Sequence, residues 1–206
     1  MTPERYELPG AVQPGAIHPG AELLLWQRFI SPQRCRSLMT RLEQEIDWRQ
    51  DRIRLFGRDC LIPRLQQFQG DAGLSYRYSG LRLHSAPWHP LVEELRQQLA
   101  EVEPTVFNCV LLNLYRDGND SMGWHSDDEA ELGPDPVIAS ISLGQPRRFL
   151  MRHRRDRTLP KVELELGNGS LLLMRGSTQH HWQHALPRSR RVLAPRINLT
   201  FRHIAA

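Results

Sequence analysis

His125-Ser126-Asp127 sets an imidazole and a carboxylate two residues apart. On extended backbone, positions i and i+2 point to the same side, so both groups can reach one ion. A third donor must come from elsewhere in the chain. His184, in His181-Trp182-Gln183-His184, is the favoured candidate; His180, His181 and His203 are rival donors. Two neutral imidazoles and one carboxylate, with open positions, make the facial triad of non-haem Fe(II) oxygenases. A hard carboxylate without thiolates argues against a structural zinc site. Cys35, Cys60 and Cys109 are spaced too widely for a zinc knuckle.

A second constellation lies near the C-terminus. Arg196-Ile197-Asn198-Leu199-Thr200-Phe201-Arg202 alternates with the period of a strand. Ile197, Leu199 and Phe201 suit a core, which leaves Arg196, Asn198, Thr200 and Arg202 on the other face. Two guanidinium forks there suit a small dicarboxylate, each charge-assisted contact contributing about 1.5–3 kcal/mol. Asn113 and Tyr115 share one face of an earlier apolar segment, where an amide and a phenol can donate to the same ligand. Tyr76 and Tyr78 alternate in the same way, and aromatic faces stack on extruded bases. Phe56, in Leu55-Phe56-Gly57, is a turn-borne aromatic of the kind that wedges into a base stack. Arg147, Arg148, Arg152, Arg154, Arg155 and Arg157 form one basic run, and Arg188, Arg190 and Arg191 another. Both are candidates for gripping phosphates.

The elements that must position these groups follow from pattern. The 206 residues suffice for one sizeable core, or at most two small ones. With 40% hydrophobic and 24% charged residues, wholesale disorder is excluded. No apolar run is long enough to span a membrane. Met1 to Arg5 lacks the basic start and apolar stretch of a signal peptide, so a cytoplasmic protein with reduced thiols is expected, or a nucleoid-associated or nuclear one. The net charge of +4 and a pI near 9.3 permit a nucleic-acid partner. Residues 1–30, rich in Pro and Gly up to residue 20, are expected to form an irregular arm. Ser31-Pro32 and Pro90 each predict a helix start. Short strands are expected at 107–115, 137–143, 148–153, 162–166, 170–174 and 192–204. The class is α+β, mainly β: a jelly roll with two helices covering one sheet. Residues 50–80, polar and turn-rich, are expected to be a lid on a single domain spanning 31–206.

Together these residues resemble the AlkB family of Fe(II)- and 2-oxoglutarate-dependent dioxygenases. Asn113-x-Tyr115, His125-x-Asp127, His184 and Arg196-x-Asn198-x-Thr200-x-Arg202 occur in the family's order. Phe56-Gly57, Gly70-Asp71-Ala72-Gly73-Leu74, Tyr115-Arg116-Asp117-Gly118, His125 to Glu129 and Leu193 to Arg196 resemble the subgroup that repairs alkylated duplex DNA. The resemblance implies a double-stranded β-helix holding Fe(II), with 2-oxoglutarate and O2 as co-substrates. It implies oxidation of an N-methyl group, as on 1-methyladenine or 3-methylcytosine, and release of formaldehyde, succinate and CO2. His125, Asp127 and His184 would hold the iron. Arg196 would take the distal carboxylate of 2-oxoglutarate, helped by Asn113 and Tyr115, with Arg202 nearer the metal. Tyr76, Tyr78 and His125 would line the base pocket, Glu129 would meet the base edge and Phe56 would be an intercalating finger. The expected partner is DNA, duplex or single-stranded, with the enzyme a monomer. Rival readings are an oxygenase acting on RNA or protein, and a non-catalytic nucleic-acid-binding jelly roll.

Overall fold

Ser31 and Pro32 start the first helix for a local reason. The Ser31 hydroxyl accepts the Arg34 N–H at 3.3 Å, and proline at the first helical position has no N–H to leave unpaired. This helix, α1 (Pro32–Glu45), buries Cys35, Leu38 and Leu42 along one stripe. The second, α2 (Pro90–Leu99), is capped by His89 and buries Leu91, Val92, Leu95 and Leu99. A single α-helical turn, α3 (Thr178–His181), and a 3-10 turn over Ala130–Leu132 complete the helices among the described residues. The structure, a computed structural model, describes residues 2–8, 21–55, 57–78 and 81–205.

The strands are β1 (Glu4–Glu7), β2 (Glu22–Trp26), β3 (Arg52–Leu55), β4 (Arg58–Leu61), β5 (Leu65–Gly70), β6 (Ser75–Tyr78), β7 (Leu81–His84), β8 (Cys109–Tyr115), β9 (Met122–His125), β10 (Ile138–Gly144), β11 (Arg147–His153), β12 (Val162–Leu166), β13 (Ser170–Arg175), β14 (Trp182–Leu186) and β15 (Arg196–Arg202). Seven build a major sheet in the order β1-β2-β13-β10-β15-β8-β5. Four build a minor sheet, β12-β11-β14-β9. The crossing order, with antiparallel pairing throughout both sheets, is the jelly roll expected from the sequence.

Strand alternation divides the apolar side chains between two cores. Leu24, Trp26, Val110, Leu112, Leu171, Leu173, Ile197, Leu199 and Phe201 pack with α1 and α2 on the outer face of the major sheet. Leu23, Leu25, Leu111, Leu172 and Met174 face the other way, against Phe149, Met151, Leu164 and Trp182 of the minor sheet. A one-residue slip of any central strand would exchange the two sets. Burying one such leucine contributes about 1.5–3 kcal/mol.

Two expectations are corrected here. Residues 1–30 are not an irregular arm throughout: β1 pairs with β2, and β2 pairs with β13 at the heart of the major sheet. Leu23, Leu24, Leu25 and Trp26 are buried on alternating faces, an apolar run that only a two-sided strand accommodates. Residues 50–80 are likewise not one appendage. They hold the β3-β4 pair and β6, which pairs with β7 beyond residue 80, but the intervening β5 is an integral edge strand paired with β8.

Part of the first basic run is also structural. Arg147 is 2% exposed, and its guanidinium donates to the carbonyls of Asp117, Asp120 and Pro187 at 2.8–3.1 Å. It stitches the 116–121 loop to the 187–195 loop. The same two loops touch backbone to backbone at Gly118, where a Cβ would lie 1.8 Å from the Ser189 carbonyl oxygen. Arg147→Met is expected to remove about 3 kcal/mol of stability, since charge-assisted bonds are lost and buried carbonyls are left without donors. Urea denaturation of the two proteins measures it. An unchanged midpoint would show the stitch to be dispensable.

Candidate metal centre

The two sheets open at one end, and the polar face of β15 lines that opening. Register sets Arg196 opposite Tyr115, Asn198 opposite Asn113 and Thr200 opposite Leu111 on β8. On the other side, Asn198 faces Ser142 and Thr200 faces Ser140 of β10. Across the gap, β14 pairs with β9 so that His184 stands opposite His125. The cavity between is lined by Asn113, Tyr115, His125, Asp127, His184, Asn198, Thr200 and Arg202, with Leu111, Met122, Phe149 and Leu186 among its apolar contributors.

His125, Asp127 and His184 each offer one ligand atom, and these atoms lie within 4.8 Å of one another. His184 Nε2 is 3.9 Å from Asp127 Oδ2. The imidazole centroids are 4.2 Å apart. His125 Nδ1 sits 2.9 Å from the Gly123 carbonyl; as donor there, it leaves Nε2 to bind an ion. His180 and His203 are engaged elsewhere, with Asp135 and the Val106 carbonyl, and His181 stacks on His153.

Electrostatics prepares the triad. Burial, then the neighbouring His125, pushes the His184 imidazole down to about 3. Burial likewise lowers His125. Both rings are therefore neutral and able to coordinate at ordinary pH. Burial by itself would raise the Asp127 carboxyl, but Arg202 and the two imidazoles bring it down to about 2. Arg202 Nη2 meets Asp127 Oδ1 at 2.7 Å. Asp127 Oδ2 is buried and, among the described residues, accepts no hydrogen bond. An ionised oxygen left that way beside two neutral imidazoles is the donor set of a facial triad, so the residues fit a ferrous ion.

Arg196 makes the complementary case. It is 1% exposed, and among the described residues no carboxylate pairs with it. Nη2 donates to Ser142 Oγ and Asn198 Oδ1, the Tyr115 hydroxyl is the other polar neighbour, and among the described residues Nε and Nη1 meet no further acceptor. The Tyr115 ring lies 5.4 Å from its guanidinium carbon. Burial lowers its pKa to about 10, so it stays a cation. A buried cation with unused donors is costly unless an anion arrives. Ser140 and Ser142 complete this polar face, and their period-two spacing in Ile138–Gly144 was the available sequence signal. Arg64 is another residue that sequence reasoning missed: it is 4% exposed and donates to Asn113 Oδ1 at 2.9 Å. Nothing in its local sequence marks it.

A 2OG-Fe(II) oxygenase superfamily model matches residues 22–202, from β2 to β15. The chain is 47% identical over 172 residues to mouse "DNA oxidative demethylase ALKBH2", covering 79% of this chain and 72% of that protein. The chain belongs to the AlkB family of Fe(II)- and 2-oxoglutarate-dependent dioxygenases. Human ALKBH2 is 45% identical over the same share of this chain and 66% of its own length. Human "Alpha-ketoglutarate-dependent dioxygenase alkB homolog 3" is 36% identical, covering 89% of this chain and 66% of its own. The solved structure of OsALKBH1 has a TM-score of 0.59 at 19% identity, covering 88% of this chain and 97% of that one, which shows the shared fold.

The base-handling residues are placed less evenly. Tyr76 offers no open stacking face: it is 0% exposed, 5.7 Å from the Phe68 ring and 5.4 Å from the Arg202 guanidinium carbon. Its hydroxyl donates to Glu129 Oε2 at 2.8 Å. β6 turns the Tyr76 side chain inward to the core between the sheets, not out to a base as the sequence suggests. Burial and the charge of Asp127 raise the Glu129 carboxyl. Phe56 and the side chain of Tyr78 lie outside the described residues. Of the basic runs, Arg148 pairs with Glu163, Arg154 with Asp128, and Arg152 lies 4.2 Å over the Trp124 ring. Arg155, Arg157, Arg188, Arg190 and Arg191 are exposed.

Proposed function

We propose that this chain removes alkyl groups from N-alkylated bases in DNA by oxidation, acting as a monomer on duplexes and also on single strands. The observation that carries the reading is a triad of ligand atoms within 4.8 Å of one another, beside a cavity whose lining residues Asn198 and Tyr115 hold the buried Arg196 guanidinium, which no carboxylate pairs with among the described residues. Two relatives named DNA oxidative demethylase support the substrate class.

His125, Asp127 and His184 would hold Fe(II), and Arg196 would pair with the distal carboxylate of 2-oxoglutarate. Bound there, iron and 2-oxoglutarate supply the oxidising power of O2, the co-substrate leaving as succinate and CO2. The chain's own work is placement. Arg202 keeps Asp127 ionised and aimed. Asn198, Ser142 and Tyr115 hold the Arg196 guanidinium, while Asn113 and Thr200 line the co-substrate space. Tyr76 fixes one oxygen of Glu129, which presents its carboxylate to the edge of a flipped base. Tyr78 and His125 supply the walls that base would stack between. The hydroxymethyl group formed on the base nitrogen then leaves as formaldehyde.

A base leaves the duplex at a cost of a few kcal/mol, less when methylation has broken its pairing. Phe56 is the proposed wedge that holds the gap. Phe56→Ala is expected to slow repair of 1-methyladenine in a duplex by about tenfold, the equivalent of about 1.4 kcal/mol, and to leave single strands within about twofold. Formaldehyde release from the two oligonucleotides, with a methylated RNA alongside, reads the result. Equal losses on duplex and single strand would remove the wedge, and faster turnover on RNA would move the substrate.

A further inference from the structure

Asp127 lies just beyond the end of β9, so the sheet does not fix its backbone. Something else must. Gln179, on α3, is 0% exposed, and its Oε1 accepts the Asp127 backbone N–H at 2.9 Å. Its Nε2 is anchored at the other end by Met174 Sδ, 3.6 Å away on β13. The Gln179 carbonyl accepts from Arg154 Nη1, which also reaches Asp128 Oδ2 at 2.5 Å. Ser126 Oγ donates to the Trp182 carbonyl at 2.9 Å, so residues 126 and 127 are held directly by the 178–182 segment and Asp128 is tied to it through Arg154. That segment leads directly into β14, which carries His184.

We propose that Gln179 is a positioning residue of the metal centre: by holding the Asp127 peptide N–H, it locks the carboxylate ligand to the segment that delivers His184. The inference rests on the triad being the metal site. The chemistry favours it over a merely structural bond. A buried glutamine acceptor is spent on a main-chain donor of the ligand residue itself, and partners of that kind typically change metal affinity 10–100-fold when removed. Rotating the Asp127 peptide would swing Oδ2 away from His184 Nε2, now 3.9 Å away, and disturb the Arg202 contact on Oδ1.

The test is calorimetric titration of the metal-free full chain with Co(II), with the visible absorption of the Co(II) protein recorded beside it. Wild type, Gln179→Leu and Gln179→Ala are compared, alanine being the smaller lesion should leucine fail to fold. Expected is a 10–100-fold rise in the Co(II) dissociation constant for Gln179→Leu, a smaller rise for Gln179→Ala, where water can replace the amide oxygen, and an altered ligand-field spectrum in both. Variants that melt earlier yet bind Co(II) within twofold of wild type, with an unchanged spectrum, would overturn the proposal and leave Gln179 structural. A wild-type chain that does not take up Co(II) would instead sink the metal reading beneath it.

Discussion

Asp127→Ala is expected to abolish turnover, with at least about a 10³-fold fall, the equivalent of about 4 kcal/mol lost from a metal-assisted step. Removing the carboxylate takes away the one anionic ligand and leaves two neutral imidazoles facing the ion. It also strands Arg202, 3% exposed, without the partner it meets at 2.7 Å. Breaking a buried pair on one side costs about 3–5 kcal/mol, so the alanine variant alone would confuse misfolding with lost chemistry. Asp127→Asn separates the two. It is nearly isosteric and keeps an acceptor for Arg202, but carries no charge for the metal. Expected is a variant that melts close to wild type, still binds methylated DNA and yields no formaldehyde. Formaldehyde release at more than a tenth of the wild-type rate would take Asp127 off the iron.

Arg196→Met is expected to raise the 2-oxoglutarate concentration needed for half-maximal rate by about 10²–10⁴-fold. Two charge-assisted contacts contribute about 1.5–3 kcal/mol each, and each 1.36 kcal/mol is a factor of ten. The methionine fills the volume without the charge, and it removes a buried cation that no carboxylate neutralises among the described residues, so stability should hold or rise. Arg196→Lys should fall between the two: it keeps the charge but loses the planar fork that bonds Ser142 and Asn198 and would hold a carboxylate at the same time. Initial rates over a range of 2-oxoglutarate concentrations at saturating iron decide it. A co-substrate requirement unaltered in Arg196→Met would place the dicarboxylate elsewhere.

The sequence was most legible where side-chain period and chemistry coincide. Ile197, Leu199 and Phe201 against Arg196, Asn198, Thr200 and Arg202 is a strand pattern with one face too polar for a core, and β15 has that division. Ser31-Pro32 gave its helix because capping is local. The strands that carry the histidine ligands were hidden. Met122–His125 is four residues with a glycine, and Trp182–Leu186 follows a polar turn, so neither shows enough alternation to register. They exist because of their neighbours, β14 being held between β11 and β9. Tyr76 misled for a related reason. Alternation set it with Tyr78 on one face but could not say that the Tyr76 ring is buried beside Phe68. Arg147 misled because a charged run resembles a solvated rim, and only the tertiary contact of two distant loops turns one of its members into a buried stitch. Arg64 and Gln179 act on Asn113 and Asp127 across 49 and 52 residues. No local pattern announces such bonds.

Anomalous diffraction from crystals loaded with Fe(II) and 2-oxoglutarate in the absence of oxygen tests the centre most directly. Expected is one iron peak about 2.0–2.2 Å from a nitrogen of His125, a nitrogen of His184 and an oxygen of Asp127, with the far carboxylate of the co-substrate against the Arg196 guanidinium. An iron peak away from these three side chains, or a carboxylate that leaves Arg196 bare, would contradict it.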